Sequence, residues 1–128
     1  MRNIYRDQKV QNLISFDIEG FIESTHDIME VPQKYLSKAE ETKEIELNTL
    51  SILEMLNLFE QKATFFILGR IAMDMPGLVR RIANEGHEIG CHSFNHRRLY
   101  NFSKPEVKSF LVDAKNYLED AISKPVYG

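Results

Sequence analysis

The run ATFFILG, Ala63 to Gly69, leaves this chain few folds to adopt. It is uncharged and rich in Phe and Ile, and it reads as a strand that is apolar on both faces, as a parallel strand between helices should be. Helical patterns flank it. Before it, Ile45, Leu47, Leu50, Ile52, Leu53, Leu56 and Phe59 recur at helical spacing with charges between them, which predicts an amphipathic helix from about Glu40 to about Phe59. After it, Asp74 is a plausible cap and Gly86 a plausible stop for a helix PGLVRRIANEG.

Two further strands and one further helix follow from the same reasoning. QNLISFDIE, Gln11 to Glu19, reads as a first strand ending in acids, and HEIGCH, His87 to His92, as a short third strand. Ser103 and Pro105 stand as cap and first turn of a last helix, with Val107, Phe110, Leu111, Ala114, Leu118 and Ile122 as its buried stripe. Gly20 to Glu40 has no clear period and is read as a long functional loop. Strand, helix, strand, helix, strand, helix implies parallel strands joined by right-handed crossovers, an α/β fold. Three parallel strands do not close a barrel, which takes about 200 residues or more. The final KPVYG stands where a fourth strand is expected. The expectation is therefore the front part of a larger α/β barrel rather than a small open sheet.

Composition excludes several classes of function. With 128 residues and 43% hydrophobic content the chain can form one domain with a real core. A formal charge of -3 and no basic run give no nucleic-acid footprint. The single cysteine, Cys91, rules out an internal disulfide framework and fits a reducing compartment. The N-terminus lacks the apolar stretch of a signal peptide and no segment is long enough to span a bilayer, so the expected location is cytoplasmic.

Chemistry concentrates at two strand ends. Asp17 and Glu19 lie two apart at the end of the first strand, hence on one face. His92 and His96 follow the third strand, four apart, a spacing that lets two imidazoles share one metal ion. Sites in parallel α/β sheets are built at the carboxyl ends of strands. Two histidines and a carboxylate converging there leave an open position for water, a donor set that suits Zn²⁺ and also fits Fe²⁺, Co²⁺ or Mn²⁺. His87, at the start of its strand, is read as structural, and Cys91 as packing rather than a fourth ligand. His26 and Asp27 are read as solvated loop residues.

These residues resemble the polysaccharide deacetylase family, the NodB homology domain of carbohydrate esterase family 4. ISFDIEGF at Ile14 to Phe21, KATFFILG at Lys62 to Gly69 and RRIANEGHEIGCHSFNH at Arg80 to His96 carry the likeness, the last containing His-[Ser/Thr]-x-x-His. The likeness covers most of the chain and fails in the Gly20 to Glu40 loop. It implies that residues 1–128 are the N-terminal portion of a distorted (β/α)7-type barrel. The implied activity is metal-dependent removal of N-acetyl groups from amino sugars of an acetylated glycan. The family's first motif usually reads Thr-Phe-Asp-Asp-Gly, whereas here it reads Ser15, Phe16, Asp17, Ile18, Glu19, Gly20, as in the branch with Asp-x-Glu. On that pattern Asp17 is the general base, Glu19, His92 and His96 hold the metal, and Ser93 orients the histidine loop; the reverse assignment of the two acids is the competing one. The family's Arg-x-Pro motif and its late leucine and histidine, the general acid, would lie beyond Gly128. Residues 1–128 alone are thus expected to be inactive and to self-associate through an open sheet edge. Two other functions compete: an amidohydrolase acting on a small cyclic amide, and a non-catalytic metal- or glycan-binding remnant.

Overall fold

A computed structural model of the chain describes residues 13–22 and 37–128. The loop residues His26 and Asp27, and the first part of the expected first strand, lie outside these. Three strands, β1 (Ser15–Ile18), β2 (Thr64–Ile67) and β3 (Glu88–Cys91), form a parallel sheet in the order β1-β2-β3. The helices are α1 (Lys38–Leu58), α2 (Gly69–Asp74), α3 (Pro76–Asn84) and α4 (Lys104–Ile122), with a 3₁₀ turn at Leu99–Asn101. Parallel strands alternating with helices are the predicted arrangement.

The sheet has two unlike faces, which corrects the expectation of strands apolar on both. Phe16, Phe65 and Ile89 form one register row, and Ile18, Ile67 and Cys91 the next on the same face. Phe65 and Ile67 have no exposed surface, and this face joins Ile45, Leu53 and Leu56 of α1, Val79 and Ile82 of α3 and Leu118 of α4 in one core. The opposite face carries Ser15, Asp17, Thr64, Phe66, Glu88 and Gly90; of these, Ser15, Asp17 and Glu88 are exposed. The first face is the one that the core closes.

Helix termini explain the chain's turns. Ser37 caps α1 by accepting the Glu40 N–H. Ser103 is the predicted N-cap of α4, and the structure adds a capping box with Glu106. Gly86, at φ +85°, ends the α3 segment in the left-handed region that glycine enters without cost. Asp74 is not the cap of α3. A separate helix, α2, runs up to it, Met75 holds the N-cap position, and the Asp74 carboxylate pairs with Arg70 at 2.8 Å and Lys38 at 3.0 Å.

The buried stripes are narrower than their patterns imply. α1 buries Glu41, Ile45, Thr49, Leu53 and Leu56, essentially one i, i+4 row, and leaves Leu47 and Phe59 exposed. α4 buries Ala114, Leu118 and Ala121; Val107, Phe110 and Ile122 are half-buried and Leu111 is exposed. Small residues on α4 serve close approach. A Cβ on Gly69 would stand 2.6 Å from the Ala114 Cα, so α2 and α4 touch through backbone. Beyond α4, the Cys91 N–H donates to the Gly128 carbonyl (2.6 Å), which lays the last residues beside β3.

Candidate metal centre

The carboxyl ends of β1 and β3 flank that of β2, and the ladder continues one bond past each strand. Leu68 N–H donates to Ile18 O (3.4 Å) and His92 N–H to Ile67 O (3.0 Å). Asp17, Phe66 and Gly90 occupy one register row on the open face. Strand alternation then returns Glu19 and His92 to that same face one step later. Gly90 has no side chain because the Phe66 ring takes its place; a Cβ there would lie against that ring.

Beyond His92 the chain reverses in a tight loop. Ser93 and His96 both adopt positive φ, 63° and 58°, uncommon for residues with a side chain. The N-terminus of α2 holds this loop: Gly69 N–H donates to Ser93 O (2.9 Å) and Arg70 N–H to Phe94 O (3.0 Å). Phe94 also packs against Tyr117 of α4, ring centroids 6.0 Å apart. The reversal brings the His96 ring to 5.1 Å from that of His92.

Glu19, His92 and His96 offer ligand atoms within 4.8 Å of one another, the one such group of three among the described residues. Glu19 Oε2 lies 3.0 Å from His96 Nε2 and 3.6 Å from His92 Nε2. That oxygen is buried, yet it makes no hydrogen bond to the described residues. A buried carboxylate oxygen without a hydrogen bond is costly unless a cation satisfies it. One carboxylate and two imidazoles, with ligand atoms this close together, are the donors a divalent ion takes. The residues therefore fit a metal.

The other predicted residues are placed as follows. Asp17 stands outside the ligand cluster, exposed on β1, and shares with Glu19 the wall of a cavity of about 280 Å³ whose far side is Glu41, Glu44, Asn48 and Thr49 of α1. Ser93 meets the scaffold through its backbone carbonyl. His87 is buried at the opposite end of β3, where its Nδ1 accepts the Ala63 N–H (3.3 Å) and its ring packs on Phe65. Burial, and then the neighbouring Lys62, hold its pKa below 6.5, against an opposing pull from Glu85. Cys91 is half-buried; burial pushes its thiol pKa up, against a backbone hydrogen bond from Ser93 and the charge of Lys115. Cys91 stands in the register row of Ile18 and Ile67 on the core face and is not part of the ligand group. Sequence reasoning missed Glu41, buried on α1, and its half-buried partner Arg70, because a glutamate inside a charged helical run carries no sign of burial.

Comparison with known proteins identifies the family. The family model described as polysaccharide deacetylase matches residues 42–127. A peptidoglycan-N-acetylglucosamine deacetylase of Bacillus cereus is 40% identical over 70 residues, covering 55% of this chain and 26% of the relative. PgdA, the corresponding deacetylase of Listeria monocytogenes, is 30% identical over 135 aligned positions, covering 94% of this chain and 28% of the relative. The chain thus spans little more than a quarter of the length of these two curated relatives. Among solved structures, the peptidoglycan deacetylase PdaC of Bacillus subtilis superimposes with a TM-score of 0.64 at 24% identity, over 89% of this chain and 45% of that one. A CE4 family pseudoenzyme of Bacillus anthracis superimposes with 0.62 at 21% identity, over 89% and 32%. At these identities the structural likeness is one of fold. The match across residues 42–127, which includes both histidines of the cluster, shows that this chain belongs to the polysaccharide deacetylase family.

Proposed function

We propose that this chain is the metal-holding part of a hydrolase that removes N-acetyl groups from amino sugars of a polysaccharide or cell-wall glycan. The observation that carries the reading is the buried, hydrogen-bond-free Glu19 Oε2 facing His92 Nε2 and His96 Nε2. Glu19, His92 and His96 would hold one divalent ion, Zn²⁺ by its donor set, with Co²⁺, Fe²⁺ or Mn²⁺ also accommodated. When bound, the ion would supply Lewis-acid polarisation of the acetyl carbonyl and a lowered pKa for water. Asp17, on the same face one step below Glu19, takes the proton of the attacking water at a carboxylate oxygen. Ser93, through its carbonyl, and the α2 N-terminus hold the loop that carries both imidazoles. The relatives named as peptidoglycan deacetylases support a glycan as substrate, and no helix among the described residues is long and apolar enough to cross a membrane.

The test is release of acetate from N-acetylated chito-oligosaccharides by the Zn²⁺-loaded product of the native gene, with residues 1–128 alone in parallel. Release that a chelator abolishes is expected from the former. Residues 1–128 alone, assayed beside it, show whether the described site suffices for turnover. A gene product that releases no acetate at full Zn²⁺ loading overturns the hydrolase reading and leaves the non-catalytic one.

A further inference from the structure

We infer that the Glu41–Arg70 pair, half-buried at Arg70 and buried at Glu41, is a positioning device for the metal ligands, clamping the backbone that follows Glu19 to the backbone that carries the histidine loop. The inference rests on the reading of Glu19, His92 and His96 as a ligand set. Glu41 is 6% exposed on α1, far from solvent for a carboxylate. Its Oε1 accepts the Ile22 N–H at 2.6 Å, three residues past Glu19. Its Oε2 lies 3.5 Å from Nη2 of Arg70, whose side chain is also largely buried. The backbone N–H of the same Arg70 donates to Phe94 O, midway between His92 and His96. One arginine therefore connects, through its side chain, to the segment bearing the acid ligand and, through its main chain, to the loop bearing both imidazoles.

Three features separate this pair from an ordinary buried ion pair. The histidine loop needs an external hold, because Ser93 and His96 sit at positive φ. The Glu19 segment leaves β1 immediately before its ligand, so strand hydrogen bonds no longer fix it beyond Ile18. Arg70 is itself fixed from behind, since its Nη1 pairs with Asp74, which pairs with Lys38. A ligand set is only as tight as the groups that orient it, and loss of such an orienting partner typically costs ~10 to 100-fold in metal affinity.

The decisive variant replaces both partners by apolar side chains, Glu41→Leu with Arg70→Met. Asp74 then keeps Lys38 as its partner, and replacing both members of a buried ion pair is often neutral or stabilising, whereas removing one is strongly destabilising. A merely structural pair would then return both stability and metal affinity to those of the parent. A positioning pair would return stability alone. Zn²⁺ affinity is measured on the full chain by chelator competition, beside thermal unfolding of the metal-free protein. The expected result is a double variant that melts near the parent yet binds Zn²⁺ ~10 to 100-fold more weakly. Glu41→Gln, nearly isosteric, covers the case of a double variant that does not fold. Its amide oxygen still accepts the Ile22 N–H but loses the ionic hold on Arg70, so affinity falls by a smaller factor. Equal Zn²⁺ affinity in a folded variant and the parent overturns the positioning role and leaves the ligand set standing. A parent that binds no Zn²⁺ overturns the ligand set and, with it, this inference.

Discussion

Glu19 Oε2 lies 3.0 Å from His96 Nε2 although the two residues are far apart in sequence and stand on loops after different strands. The sheet register brings the loops together, and α2 turns the histidine loop back over the strand end. If the contact serves a shared metal, removing either imidazole leaves two protein ligands, too few for a typical catalytic site. His92→Ala and His96→Ala should each lose bound Zn²⁺, by more than the ~10 to 100-fold of an orienting partner. Metal analysis of the purified variants checks this, and full occupancy in both rejects the ligand set.

The two acids should separate by what they lose. Asp17→Asn keeps the metal but lowers turnover by ~10² to 10⁴-fold, because an amide does not accept the water's proton. Glu19→Gln loses metal affinity instead, since Glu19 and not Asp17 stands in the cluster. Metal content and acetate release, measured together on the native gene product, give the answer. The opposite pattern would exchange their roles.

Two glycines offer a controlled comparison of packing. Gly69→Ala forces a Cβ to within 2.8 Å of the Phe94 ring and 2.6 Å of the Ala114 Cα, and backbone does not yield cheaply. Overpacking of this kind costs about 1–3 kcal/mol, and here it also pushes on the histidine loop. Gly77, inside α3, has nothing within 4 Å of its added Cβ. Gly77→Ala should stabilise by about 0.4–1 kcal/mol through the unfolded chain's lost freedom. Urea unfolding of both variants measures the two effects; a shift of the same sign in both would refute the argument.

What the sequence disclosed and what it hid divide along a physical line. Strand identity, the Ser103 cap, the Gly86 stop and the His92/His96 spacing are local in origin, and each was legible from neighbouring residues. α2 was not. GRIAMD follows an apolar strand directly, and its first N–H groups find partners in Ser93 and Phe94, a tertiary arrangement with no local signature. The same blindness made Asp74 look like a cap when it is the end of one helix and the partner of Arg70 and Lys38. Leu47, Phe59 and Leu111 fit their helical patterns yet remain exposed, because the pattern cannot say how wide a strip the sheet will cover. Glu41 is the converse: its burial depends on an N–H and a guanidinium supplied by two other segments.

His87 should leave its mark on stability rather than on activity. In the folded protein its ring is buried, accepts the Ala63 N–H at Nδ1 and lies near Lys62, so the neutral form is favoured and the folded pKa sits below 6.5. The unfolded chain therefore binds the extra proton first as pH falls. Stability from this group is complete above the unfolded value of about 6.5 and is lost as pH drops from there through the folded pKa. His87→Asn keeps an acceptor near the Nδ1 position and cannot take up that proton. The slope of unfolding free energy against pH just below 6.5 should therefore be shallower in the variant than in the parent, by denaturant titration of the metal-free proteins. Identical slopes would mean that protonation of His87 is not linked to folding.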